Sequence, residues 1–258
     1  MAEAEVEPWG LRHDRRWVVL EPDGTRLTAR EEHLLLGLTA TPTERGIDIT
    51  WRDGQRLVVS TPVDGEVVPT SISRLESVRL AAHEAHSWLS GRLERSVRLA
   101  WLDDPSRRTV SDAHGGLPGD SLNLADAGPL LLTTTSSLRQ LNDWMVADAL
   151  ASGADPPPLM EMARFRPSVV VDEVPEAFEE DGWRTLCVGE AQLRFAERCD
   201  RCVMTTLDPH TLVGGKEPLL TLARHRQWDH KTWFGVRIIP MAPSVIRVGD
   251  PVEVLVHA

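Results

Sequence analysis

Four times in this chain an apolar, partly β-branched run enters a tight glycine-containing turn and a similar run leaves it, a rhythm that restricts the chain to a largely β architecture. In "RRWVVLEPDGTRLTAR", Trp17 to Leu20 run extended, Pro22-Asp23-Gly24 turn the chain, and Thr25 to Thr28 return. In "GIDITWRDGQRLVVS", Ile47, Ile49 and Trp51 alternate onto one face, Asp53-Gly54 turn, and Leu57 to Val59 come back. "WRTLCVGEAQLRFAE" predicts a third hairpin, Trp183 to Val188 and Ala191 to Glu197 around Gly189-Glu190. Leu193 and Phe195 fall on one of its faces and Arg194 on the other. "IRVGDPVEVLV" predicts a fourth strand-turn-strand unit around Gly249-Asp250.

Two stretches break the rhythm. "AAHEAHSWLSGRL" spaces Ala81, Ala85, Trp88 and Leu89 as a helix does, before the strand-like "SVRLAWL". "SSLRQLNDWMVADAL" predicts a longer helix, opened by a Ser137–Gln140 capping box and carrying Leu138, Leu141 and Met145 on one face. "PLLLTTT" reads as a short strand and "ARFRPSVVVD" as a buried strand entered through Pro167. The stretch "DDPSRRTVSDAHGGLPGD" concentrates Pro, Gly, Ser and charge. It sets the expected organisation: domains over 1–103 and 121–258 joined by a linker over 104–120. The fold class is mainly β with some helices, α+β.

At 258 residues and 41% apolar content the chain can bury one large core or two smaller ones. Its 28 basic and 39 acidic residues leave a net charge of -11, which phosphate backbones and anionic lipid repel, arguing against nucleic-acid and membrane partners. "MAEAEVEPWG" has no basic n-region or apolar h-region, and no run approaches the ~18 apolar residues of a membrane span. A soluble cytoplasmic protein is expected. Three cysteines, odd in number and irregularly spaced, do not form a secreted disulfide framework, so reduced thiols are expected.

Two of those thiols, Cys199 and Cys202 in "RCDRCVMTTLDP", are expected just after a strand and among arginines. Structural zinc would need a second pair of ligands, and the chain beyond holds only unpatterned histidines. A thioredoxin-like redox pair would open a helix, but the following Val203, Met204, Thr205, Thr206 and Asp208-Pro209 argue against one. A single thiolate on a soft metal or cofactor is the third reading, and two buried small apolar side chains the fourth.

Other candidates are plainer. His83-Glu84-Ala85-His86 spaces its histidines three apart rather than four, so a solvated helix face is expected instead of a zinc motif. Gly214-Gly215-Lys216 lacks the spacing and the following hydroxyl of a phosphate loop and reads as a turn; His225 and His230 read as loop histidines.

The order of motifs carries further. "GLRHDRRWVVLEPDGTRLTARE", "ARFRPSVVVD", "CDRCVMTTLDP", "EPLLTLARHR", "WFGVRIIP" and "IRVGDPVEVL" resemble, in sequence order, the MOSC family of molybdenum-cofactor proteins, in particular the bacterial relatives of the amidoxime-reducing type. The resemblance implies an N-terminal MOSC-type β-barrel followed by a MOSC β-barrel, with molybdopterin bound between them. It implies Cys202 as the molybdenum ligand and Arg15, Arg166 and Arg201 as partners of the pterin phosphate. Ser168 stands where relatives carry asparagine, and Asp208 is a further catalytic candidate. The family's Lys-Ser strand precedes "GLRxDRRW", so the first barrel is expected to lack its first strand. The activity implied is reduction of N-hydroxylated small molecules with electrons from a separate ferredoxin- or flavoprotein-type partner. The alternatives are a non-catalytic carrier of the cofactor, or of sulfur on Cys202, and an inactive remnant.

Overall fold

Asp23 and Asp53 turn the first two hairpins by the same device. Each carboxylate accepts the backbone N–H two residues on, Thr25 at 2.8 Å and Gln55 at 2.9 Å, and Gly24 and Gly54 follow in the positive-φ conformation such turns require. The computed structural model describes residues 2–208 and 211–258. Its first half holds β1 (Glu3–Glu7), β2 (Gly10–Leu11), β3 (Trp17–Leu20), β4 (Arg26–Leu27), β5 (Leu38–Thr43), β6 (Gly46–Trp51), β7 (Arg56–Ser60), β8 (Val67–Pro69), β9 (Ser77–Leu80), α1 (His83–Leu93) and β10 (Arg98–Trp101). Strands β4-β3-β10-β9-β8 form one antiparallel sheet and β5-β6-β7 another. Ile47, Ile49, Leu57 and Val59 pack with Ala85, Leu89 and Leu93 of α1.

The second half holds β11 (Leu130–Thr134), α2 (Thr135–Ala151), β12 (Val169–Val171), β13 (Trp183–Val188), β14 (Ala191–Asp200), α3 (Leu219–His225), β15 (Gln227–Trp228), β16 (Lys231–Pro240), β17 (Ser244–Arg247) and β18 (Val252–His257). Its main sheet runs β12-β11-β16-β14-β13-β18, with β15 on β16. Gly235, at φ +74, lets β16 pass β11, because a Cβ there would meet the Leu132 carbonyl oxygen at 2.8 Å. The molecule is mainly β with three α-helices among the described residues. Among the described residues no helix is long and apolar enough to cross a membrane.

Several expectations are corrected. The last strand-turn-strand unit forms around Gly249-Asp250 as expected, but its arms do not pair with each other: β17 pairs with β1, Glu3 opposite Arg247, whereas β18 pairs with β13. Val6 is thereby 1% exposed in the second half's core. Thr134, not Ser137, caps α2, accepting the Ser137 N–H at 3.1 Å. Ser137 is itself buried and donates its hydroxyl to Glu180, at 2.8 and 2.9 Å from the two carboxylate oxygens. Burial pushes the Glu180 carboxyl up to about 6, against the pull of the Ser137 hydroxyl. The "VVV" strand buries Val169 and Val171 as expected, but it is an edge strand and Val170 is exposed. His225 closes α3 instead of lying in a loop and stacks on Trp144 at 4.5 Å.

Residues 104–120 contain two short 3-10 turns, Pro105–Arg107 and Asp112–His114. Between them Arg108 is 1% exposed and meets only carbonyl oxygens: Ser73 at 3.0 Å, Ala125 at 2.7 Å, and Asn123. With no carboxylate on the guanidinium, burial brings its pKa down to about 10.

Candidate cofactor site

A cavity of about 910 Å³ is lined by residues of both halves. β14 contributes its last two residues, Cys199 and Asp200, to the lining. This strand runs to Asp200, so Cys199 lies within it, and only Cys202 lies beyond, correcting the expected placement of both thiols after the strand. A regular strand sends alternate side chains to opposite faces. Here the register with β16 slips between Phe195 and Glu197 and again between Arg198 and Asp200, and four consecutive residues, Cys199 to Cys202, line the cavity. Bulges of this kind re-aim side chains beside functional sites. The chain then makes a single 3-10 turn, Val203–Thr206, and no α-helix.

Arg15 and Arg166 reach the same cavity from opposite halves, and both hold positive φ, 48° and 54°. The left-handed conformation costs a residue with a Cβ ~1–2 kcal/mol, and such strain gathers at functional sites. Arg166 takes it as the cap of the 3-10 turn Met162–Phe165. Ser168 also lines the cavity. Its hydroxyl accepts the Leu131 N–H at 3.3 Å and its own N–H donates to the Leu131 carbonyl at 2.8 Å, aligning β12 with β11.

The charges do not cancel. Seven guanidiniums line the cavity: those of Arg15, Arg26, Arg30, Arg164, Arg166, Arg201 and Arg237. Five carboxylates pair with them. Asp14 holds Arg15; Asp126 holds Arg26 and Arg30 at 2.8 and 2.7 Å; Asp208 holds Arg164 at 2.8 Å; Glu197 and Asp200 hold Arg237, the latter at 2.8 Å. The surplus is two positive charges. Arg166 makes no side-chain hydrogen bond or ion pair with any described residue, and its pKa is lowered, first by burial and then by repulsion from Arg15. Arg201 donates to Cys199 Sγ at 2.9 Å and to the Phe165 carbonyl at 2.7 Å, while its Nε is buried with no acceptor. A phosphate monoester dianion has the charge and the acceptors this surplus needs.

Cys202 is exposed, and Nη2 of Arg30 lies 3.9 Å from its Sγ. Among the described residues no three His, Cys, Asp or Glu side chains gather as a metal cage. The four-ligand zinc reading therefore lacks its ligands, and a metal on Cys202 would have to arrive with ligands of its own. Together the unpaired cations and the accessible soft donor fit a metal carried by an anionic organic ligand.

Of the residues singled out in the sequence, Arg15, Arg166, Ser168, Arg201 and Cys202 line this one cavity. Asp208 does not line it. Its carboxylate accepts from Arg164, which does, and from the Thr211 N–H at 2.9 Å. Sequence reasoning missed Arg26, Arg30, Arg164, Arg237 and Asp126. Arg164 could have been found beside Arg166 in "ARFRP", and Arg26 and Arg30 in the returning arm of the first hairpin. Asp126 carries no local signal.

Residues 119–253 match the MOSC domain, and residues 1–96 match the MOSC N-terminal beta barrel domain. The chain is 29% identical over 274 residues to mitochondrial amidoxime-reducing component 1 of Homo sapiens, covering 99% of this chain and 78% of that protein. It is 29% identical over 280 residues to human mitochondrial amidoxime reducing component 2, covering 98% and 77%. To mitochondrial amidoxime-reducing component 1 of Danio rerio it is 30% identical over 257 residues, covering 95% and 75%.

Proposed function

Because this chain belongs to the MOSC domain family, we propose that its cavity holds a molybdenum cofactor and that the protein reduces N-hydroxylated small molecules. The observation that carries the proposal is the coincidence, in one cavity, of two guanidiniums without carboxylate partners and one accessible thiol. The relatives named for amidoxime reduction support the choice of substrate class.

The roles follow from chemistry. The Cys202 thiolate is the soft donor for the metal. Arg166 and Arg201 take the phosphate, since planar guanidiniums present paired donors to it. Arg15, steered by Asp14, and the Ser168 hydroxyl complete the polar wall, and Asp208 acts through Arg164. When bound, the cofactor supplies the two-electron reduction that, with two protons, cleaves the N–O bond and releases the oxygen as water. On this reading its electrons come from a separate partner of ferredoxin or flavoprotein type.

The exposure of Cys202 also favours a second reading, a carrier that hands on the cofactor or a sulfur atom. Molybdenum and pterin analysis of the purified chain, followed by turnover of an amidoxime with an artificial reductant, separates the two. Cofactor with turnover is expected. Cofactor without turnover would favour the carrier, and absence of both from protein made in a cofactor-producing host would overturn the reductase and the cofactor carrier, leaving only a carrier of sulfur.

A further inference from the structure

Arg30 belongs to the first half of the chain and Cys202 to the second, yet the guanidinium stands 3.9 Å from the sulfur. What holds it there is Asp126. One oxygen of that carboxylate accepts from Arg30 at 2.7 Å and the other from Arg26 at 2.8 Å, so a single acid grips two arginines of the first half. Burial would raise the Asp126 carboxyl, but the hydrogen bonds and charges of Arg30 and Arg26 outweigh it and bring it down to about 2, leaving it an anion at neutral pH.

The loop that presents Asp126 is braced from behind. Buried Arg108 donates to the carbonyls of Asn123 and Ala125, and the Asn123 side chain accepts the Ala125 N–H at 2.8 Å. A braced anion is a fixed point, and Arg30 is aimed from it.

We infer that Arg30, held by Asp126 as a positioning residue, determines specificity at this site: it favours small molecules that bring a neutral or anionic oxygen to the Cys202 sulfur and disfavours cations. The inference builds on the reductase reading for its meaning. On that reading the N-hydroxyl oxygen of a substrate meets the Arg30 donors, and the amidine or amine product, a cation at neutral pH, is repelled from the place where it forms.

The test needs neither cofactor nor turnover. The full chain, made in a host that lacks the cofactor, is alkylated with iodoacetate, an anion, and with iodoacetamide, its neutral counterpart. Peptide mass spectrometry follows Cys202 apart from Cys187 and Cys199. Both reagents attack the same sulfur anion, so the ratio of their rates cancels its ionisation and reads the local preference for charge. Arg30→Gln is expected to lower the iodoacetate-to-iodoacetamide ratio about fivefold, the weight of a unit charge ~4 Å away in water-like screening. Arg30→Lys is expected to keep most of it.

Asp126→Asn gives the sharper result. Removing an anion would by itself raise the ratio; releasing Arg30 lowers it, and in the Arg30→Gln background that lowering disappears. An unchanged ratio in Arg30→Gln overturns the specificity role, and a rise in Asp126→Asn overturns the positioning role. Because the reductase reading is judged by metal content and turnover, the failure of either is visible without the other.

Discussion

The Arg201 guanidinium donates to the Phe165 carbonyl oxygen at 2.7 Å and lies over the ring of the same residue, 5.1 Å from its centroid. This double contact welds "CDRC" to "RFRP", two motifs far apart in the chain. It sets Arg201 beside Arg166, the next residue after Phe165, so the two cations without carboxylate partners share one wall.

Cys202→Ser is expected to abolish molybdenum retention, because an alkoxide is a harder and far more basic donor than a thiolate. Cys187→Ser, on β13 away from the cavity, is expected to keep full metal content, and Cys199→Ser a substantial fraction, its sulfur accepting from Arg201 and donating to the Asp200 carbonyl oxygen, contacts a hydroxyl can keep in part. Metal analysis of the three variants checks this. Equal losses at Cys199 and Cys202 would contradict it.

Two arginines should behave oppositely when removed. Arg166→Ala is expected to empty the cavity of cofactor while changing the stability of the cofactor-free chain by less than ~0.5 kcal/mol, since its guanidinium bonds to no described residue. Arg108→Met is expected to cost about 2–4 kcal/mol by stranding the buried Asn123 carbonyl and the part-buried carbonyls of Ser73 and Ala125. Urea denaturation of both variants, with pterin content measured alongside, distinguishes a binding group from a bracing one.

Glu180 makes stability depend on pH in an unusual direction. Its folded pKa, about 6, lies above its ordinary 4.5, so between those values the folded chain binds more protons than the unfolded one. The group's contribution is therefore most favourable below about 4.5 and is lost as pH rises through about 6. Glu180→Gln, which keeps the hydrogen-bonding shape without the charge, is expected to stabilise the chain at pH 7.5 by about 2 kcal/mol and by little at pH 4.5. Thermal melts at the two pH values give the comparison; a gain of equal size at both would remove ionisation as the cause.

Asp208→Asn is expected to weaken cofactor retention severalfold through loss of the ionic grip on Arg164, with rescue by high cofactor concentration. Arg164→Gln should match it, and the double variant should be no worse than either alone. Additive losses would mean that Asp208 acts independently of Arg164.

What could be read from the sequence was local. The first three hairpins were legible because Asp-Gly and Gly-X turns act within a few residues. The fourth strand-turn-strand unit was legible in its strands and turn but not in its pairing, because β17 and β18 are claimed by distant partners, β1 and β13. The start of α2 shifted for a related reason: Ser137 has the chemistry of a cap, but buried Glu180, 43 residues on, takes its hydroxyl. Arg15, Arg166 and Arg201 surfaced through the order of motifs. Arg30 and Asp126 did not, since nothing near either one in sequence foretells that Asp126 will lie against a hairpin 96 residues earlier.

The pairing of β1 with β17 also has a cost in time. Glu3 to Val6 must wait for Ser244 to Arg247, so the partner of this strand leaves the ribosome roughly 240 residues later. At ~5–20 residues per second, β1 spends roughly 12 to 50 seconds of synthesis with β2 alone beside it and its other edge unpaired. Such a contact, separated by nearly the whole chain, closes late and slows folding. During that interval Val6, later buried among residues of the second half, is open to other nascent chains or to a chaperone.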